Sequence, residues 1–190
     1  MGGVERNAST DTNGRPEWPP MVKVWDPIVR LFHWALVGLF TFSFLTGDEW
    51  KDAHVISGYM IGGLVAIRLI WGLIGSEHAR FASFIYRPST IASFIRDSVY
   101  IRAKRFIGHN PAGGAMVIAL LLMISGIVTT GYLMTTDAYW GVEWVESTHK
   151  ALVYATLGMI LLHVTGVVLA SLEHRENLVR AMLTGRKRAE

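Results

Sequence analysis

Seven histidines and no cysteine occur in this chain of 190 residues. Four of the histidines, His33, His54, His149 and His163, fall within or at the ends of long apolar stretches, where an ionisable side chain is expensive to bury and calls for a function. The other three, His78, His109 and His174, lie in polar connections. His149 and His163 are 14 residues apart. That is about 3.9 helical turns, so both rings project from nearly one face of a single helix, about 21 Å apart along its axis. Imidazoles that face each other from neighbouring helices can clamp a haem iron through both axial positions. The lack of Cys excludes thiolate zinc sites, iron–sulfur clusters and haem attached through a C-x-x-C-H motif. A haem held by His alone is non-covalent, hence b type.

The elements that position these residues follow from hydropathy. Hydrophobic residues make up 51% of the chain and charged residues 17%, which excludes disorder and argues against a soluble domain. A hydrocarbon core of about 30 Å needs about 20 apolar helical residues. Four segments qualify, at 28–46, 54–74, 113–134 and 149–171. The expected fold is therefore all-α, a bundle of four transmembrane helices. In the connection after the second span, Pro88 and Ser89 can start a short helix with Ile91, Phe94 and Ile95 on one face. With Arg96, Arg102, Lys104 and Arg105 it forms a basic amphipathic segment suited to the cytoplasmic lipid surface.

The formal charge of +3 is a matter of orientation, not of a nucleic-acid partner. Of the 18 Lys and Arg residues, 15 lie before the first span or in its first turn (Arg30), between the second and third, or after the fourth. The connections "GDEWKDA" and "TTDAYWGVEWVES" carry Asp48, Glu49, Asp52, Asp137, Glu143 and Glu146, with Lys51 inside them and Lys150 just beyond. Positive segments stay on the cytoplasmic side, so both termini are expected there and the acidic connections outside. Residues 1–21 read as a flexible cytoplasmic tail.

This topology sets depth. His33 lies near the inner end of the first helix and His163 level with it; His54 and His149 open their helices at the outer end. The pairs that depth permits are His33 with His163, inner, and His54 with His149, outer. Gly58 and Gly62 follow His54 at steps of four and can make room for a porphyrin, or simply let helices pack closely. Arg68, 14 residues after His54, falls on the same face at the inner depth. It can pair with a haem propionate or snorkel to the headgroups.

The stretches "VKVWDPIVRLFHW", "HVISGYMIGGLVAIRLIWGLIG", "HNPAGGAM" and "HRENLVRAMLTGRKR", with the four-His layout, closely resemble the bacterial cytochrome b561 family and the related b-type cytochrome subunits of nickel–iron hydrogenases. The resemblance covers residues 22–188, read as one cytochrome b561-like transmembrane domain. It implies two bis-His haems b, with the family's ligands on His33, His54, His149 and His163. It also implies electron transfer in the bacterial inner membrane between the quinone pool and a partner at the surface, either a periplasmic c-type cytochrome or a hydrogenase. His109, Arg30 and Asp26 are candidates for the protons of quinone chemistry. No catalytic acid or nucleophile is needed, so the expected role is electron-transfer oxidoreductase, not stand-alone catalyst. One alternative is a superoxide:ubiquinone oxidoreductase, which the acidic outer connections oppose because an anion needs a positive funnel. Another, of a different class, is a transporter using His for metal ions or protons; no Pro interrupts any expected span.

Overall fold

The computed structural model describes residues 20–189. The expected flexible tail lies outside this range except for Pro20 and Met21. Four helices are long and apolar enough to cross a bilayer: α1 (Pro27–Thr46), α2 (Lys51–Ile74), α4 (Pro111–Leu133) and α5 (Glu143–Glu173), each with an 18-residue stretch whose mean hydropathy is 1.7, 1.6, 2.2 and 2.1 respectively. Two shorter ones, α3 (Pro88–Val99) and α6 (Leu178–Thr184), bring the described helices to six. A short pairing of β1 (Met21–Lys23) with β2 (Arg186–Arg188) brings the two ends of the described chain together.

Helix starts follow local chemistry. The Asp26 carboxylate caps α1 by accepting from Val29 N at 2.9 Å, and Asn110 caps α4 by accepting from Gly113 N at 2.7 Å. Each is followed by a proline, whose missing N–H costs nothing in a first turn. The α2 and α5 helices begin earlier than hydropathy indicates. Polar residues such as Lys51, Asp52, Glu143 and Glu146 are helical although they extend past the apolar run. His54 and His149 therefore do not open their helices but lie one and nearly two turns inside them. At 31 residues, α5 is about 46 Å long and traverses the whole bundle.

The packing order is α1 on α2, α2 on α4, and α4 on α5. A core of Ile61, Val65 and Ile124, flanked by Leu36, Leu39, Phe40 and Val128, joins the first three. Most of α5 is left outside that core, with Leu161, Leu162, Val168 and Leu169 exposed. The α3 helix packs on α4 and buries Phe94, whose ring meets Phe106 at 5.7 Å, while Ile95 and Val99 are exposed. Ile95 thus leaves the face expected for it, and the basic run from Arg102 follows α3 as irregular backbone.

The end that carries the termini is more organised than a solvated basic tail. The buried Glu176 carboxylate accepts from Arg105 Nη2 at 3.0 Å and from Arg188 N at 3.1 Å, and pairs with Lys187 at 3.4 Å. Lys187 also donates to the Phe106 carbonyl at 2.9 Å, and Arg30 to that of Leu183. Burial raises the Glu176 carboxyl, but the Arg105 hydrogen bond and the Lys187 charge outweigh it and hold it below its usual range. Gly185 closes α6 in the left-handed region (φ 78°), where a Cβ would also meet the Trp25 carbonyl.

Candidate functional site

The four intramembrane histidines fall on three helices: His33 on α1, His54 on α2, and His149 and His163 on α5. The His54 and His149 rings face each other with centroids 6.2 Å apart and planes at 78°. An ion ligated by two Nε2 atoms at about 2 Å sets imidazole centroids about 6 Å apart. The observed spacing matches that demand.

Each ring is held from behind. His54 Nδ1 lies 2.8 Å from the Ser43 carbonyl and 3.1 Å from Ser43 Oγ on α1. His149 Nδ1 lies 3.1 Å from the Ile127 carbonyl and 3.0 Å from Thr130 Oγ1 on α4. A carbonyl only accepts, so both Nδ1 atoms carry the proton and both Nε2 atoms keep a free lone pair. Gly131 on α4 leaves space for the His149 ring, since a Cβ there would lie 3.3 Å from its Cε1.

His33 and His163 do not face each other as His54 and His149 do; among the described residues His33 meets the Trp34 ring edge-on at 5.0 Å instead. The His33 Nδ1 is buried without a hydrogen-bond partner. Arg68, in the last third of α2, is 3% exposed with its guanidinium 4.9 Å from the centre of the Phe81 ring. Its Nη1 is also enclosed and unpartnered. A guanidinium buried in protein that keeps a free donor suits an anionic group such as a propionate.

The two predicted glycines differ. A Cβ on Gly58 would meet nothing within 4 Å, whereas one on Gly62 would approach Val128 Cγ1 of α4 to 3.0 Å. Gly62 thus lets α2 and α4 pack closely, and Gly58 borders open space. Gly158 on α5 is likewise open.

Of the polar residues near the termini, Asp26 is buried, accepting from Trp71 Nε1 at 3.1 Å and from Ser76 Oγ. Burial raises its carboxyl, but the bonds from Ser76, Val29 N and Trp71 prevail and keep it ionised below its usual range. The His109 ring is sandwiched between Trp25 (4.6 Å) and Phe84 (4.5 Å), with Nδ1 enclosed and unpartnered. Burial, reinforced by Arg68, His78, Lys187 and His163, pushes it down from 6.5 to about 3. The unfolded chain therefore binds more protons than the fold between those values, and stability falls as pH drops through that window. Going from about pH 7 to about pH 5 should cost about 2 kcal/mol at this residue. His109→Phe should lose less thermal stability than the native chain over that interval in a melting experiment; equal losses would contradict the assignment.

Sequence reading missed Ser43 and Thr130. A Ser or Thr in a helix commonly bonds back to its own i−4 carbonyl, so neither residue type signals a contact with another helix.

Four helices able to span a bilayer, with His54 and His149 face to face between two of them, are an arrangement in which paired imidazoles could hold a cofactor iron. The chain belongs to the prokaryotic cytochrome b561 family, whose model matches residues 24–185. It is similar to a probable Ni/Fe-hydrogenase B-type cytochrome subunit of Bradyrhizobium diazoefficiens, 21% identical over 215 positions covering 88% of this chain and 86% of that one. A subunit of the same description from Rhizobium leguminosarum bv. viciae is 20% identical over 214 positions, covering 87% and 88%. No solved structure matches the chain. Family membership implies haem b as cofactor and electron transfer as the task.

Proposed function

We propose that this protein is a di-haem b cytochrome of the bacterial inner membrane, carrying electrons between the quinone pool and a redox partner at the membrane surface. The observation that carries this reading is the facing pair His54 and His149, with both Nδ1 atoms committed to carbonyls of other helices. His33 and His163 form the second ligand pair. Arg68 holds a propionate with its free Nη1, and Gly58 lines the approach to the His54 face while Gly62 seats α2 against α4. Haem supplies reversible one-electron chemistry when bound. The chain's part is to fix ligand tautomers, exclude water and align the two sites along α5.

The positive-inside distribution puts the termini, the His33–His163 pair and α3 on the cytoplasmic side, with α3 at the lipid surface. Residues 1–21 are the tail and 22–188 the cytochrome domain. The opposite, acidic end is then periplasmic. Six carboxylates there outnumber its two lysines, Lys150 paired with Glu146 at 2.6 Å and Lys51 over the Trp140 ring at 4.5 Å, so the face is anionic. It suits a basic partner such as a c-type cytochrome. A hydrogenase is the second reading for the partner, favoured by the two relatives that match along most of their length.

The test is quinol added to vesicles holding the purified protein. Haem reduction is expected, followed by oxidation with a basic cytochrome c at a rate that falls steeply with salt. A haem that quinol does not reduce would sink the quinone assignment; a salt-independent rate would sink the charge-steered partner.

A further inference from the structure

We propose that Ser43 and Thr130 are positioning residues that lower the redox potential of the His54–His149 site, so that an electron shared between the two sites rests at the His33–His163 end. This rests on the di-haem reading above and adds to it an order of potentials.

The asymmetry lies in what stands behind each ligand. Ser43 and Thr130 are both buried, at 7% and 8% exposure, and each presents its hydroxyl to a histidine Nδ1 that is already bonded to a backbone carbonyl. Thr130 Oγ1 donates its own proton to the Gly126 carbonyl at 2.8 Å, which leaves its lone pairs for the His149 N–H. Ser43 Oγ, 3.1 Å from His54 Nδ1, has the same lone pairs to offer. An imidazole whose N–H is given to acceptors is more basic at its other nitrogen, and a more basic ligand favours the more positive, oxidised metal. Both ligands of this site receive that push.

At the other end the environment runs the opposite way. His33 Nδ1 is buried with no acceptor, so that ring receives no such push. Arg68 adds a buried cation towards the end of α2 opposite His54; among the described residues its Nη1 is unpartnered and no carboxylate stands at salt-bridge distance, while the ionised Asp26 lies near enough to offset part of its charge. The positive charge that Asp26 leaves over disfavours the more positive metal state and raises the potential. One electron leaving the His54–His149 site oxidises it, and the same electron reduces the His33–His163 site. The transfer is downhill in that direction.

The experiment is an equilibrium redox titration of the purified holoprotein, followed by haem absorbance. His149→Ala and His163→Ala identify which wave belongs to which site. The expected result is two waves, with the lower one absent from His149→Ala. In Thr130→Val and, independently, Ser43→Ala, two haems should remain and the lower wave should shift upward, while the higher wave stays in place. A purely structural role for these hydroxyls would change haem retention without moving one potential selectively. Two haems at one potential, a reversed order, or hydroxyl variants that leave both waves unmoved would overturn the inference and spare the di-haem reading. Fewer than two haems in the native protein would overturn that reading and the inference with it.

Discussion

His163→Ala is expected to strip one of two haems from the protein and leave the other with an intact bis-His spectrum, and His149→Ala to do the converse. The two residues sit 14 positions apart on one face of α5. The partners proposed for them stand on different helices, His33 on α1 for His163 and His54 on α2 for His149. The outer pair depends on Ser43 and Thr130 for its orientation, and neither lies near His163 in the chain. Loss of the His163 ring therefore leaves the 6.2 Å pairing of His54 with His149 undisturbed. Haem content per chain should drop by half in each variant, with the fold retained, because the packed core lies on α1, α2 and α4 and not around either ring of α5. Loss of both haems from one substitution, or of neither, would contradict the assignment of ligands to pairs.

The second large effect is expected at Arg68. Its guanidinium is 3% exposed, keeps one unpartnered nitrogen, and rests on the Phe81 ring. A hydrogen bond between charged groups contributes about 1.5–3 kcal/mol, so Arg68→Leu should weaken retention of the haem at His33 and His163 roughly 10- to 100-fold. The outer haem should be unaffected. Arg68→Lys should recover part of the loss, since a point charge replaces the planar fork but keeps its sign. Competitive transfer of haem to an apo-acceptor protein measures both variants. Retention in Arg68→Leu equal to that of the native chain would show that the buried cation serves packing alone.

Much of this arrangement was legible in the residues because helical rise is constant. Once the spans were placed, the helices that carry His33, His54, His149 and His163 followed, and so did the facing of His54 and His149. Span edges were less legible. Hydropathy ends where the hydrocarbon ends, whereas backbone hydrogen bonds carry α5 back to Glu143 and α2 back to Lys51. The terminal assembly escaped notice for a different reason. Glu176, Arg105 and Lys187 are far apart in sequence, and Arg105 and Lys187 looked like orientation signals until the fold buried them around one carboxylate. Gly58 and Gly62 are identical by type and spacing; only the approach of Val128 separates the packing glycine from the one beside open space. Ser43 and Thr130 carry no sequence mark at all, because their role exists only across helices.

The central claim is that two haems b are held by two histidine pairs, and the most direct measurement is haem per polypeptide in the purified native protein. It combines a pyridine haemochrome assay with quantified protein and a reduced-minus-oxidised spectrum. The account predicts two non-covalent haems b per chain, both with the signature of two nitrogen ligands. One haem per chain, or none, would contradict it.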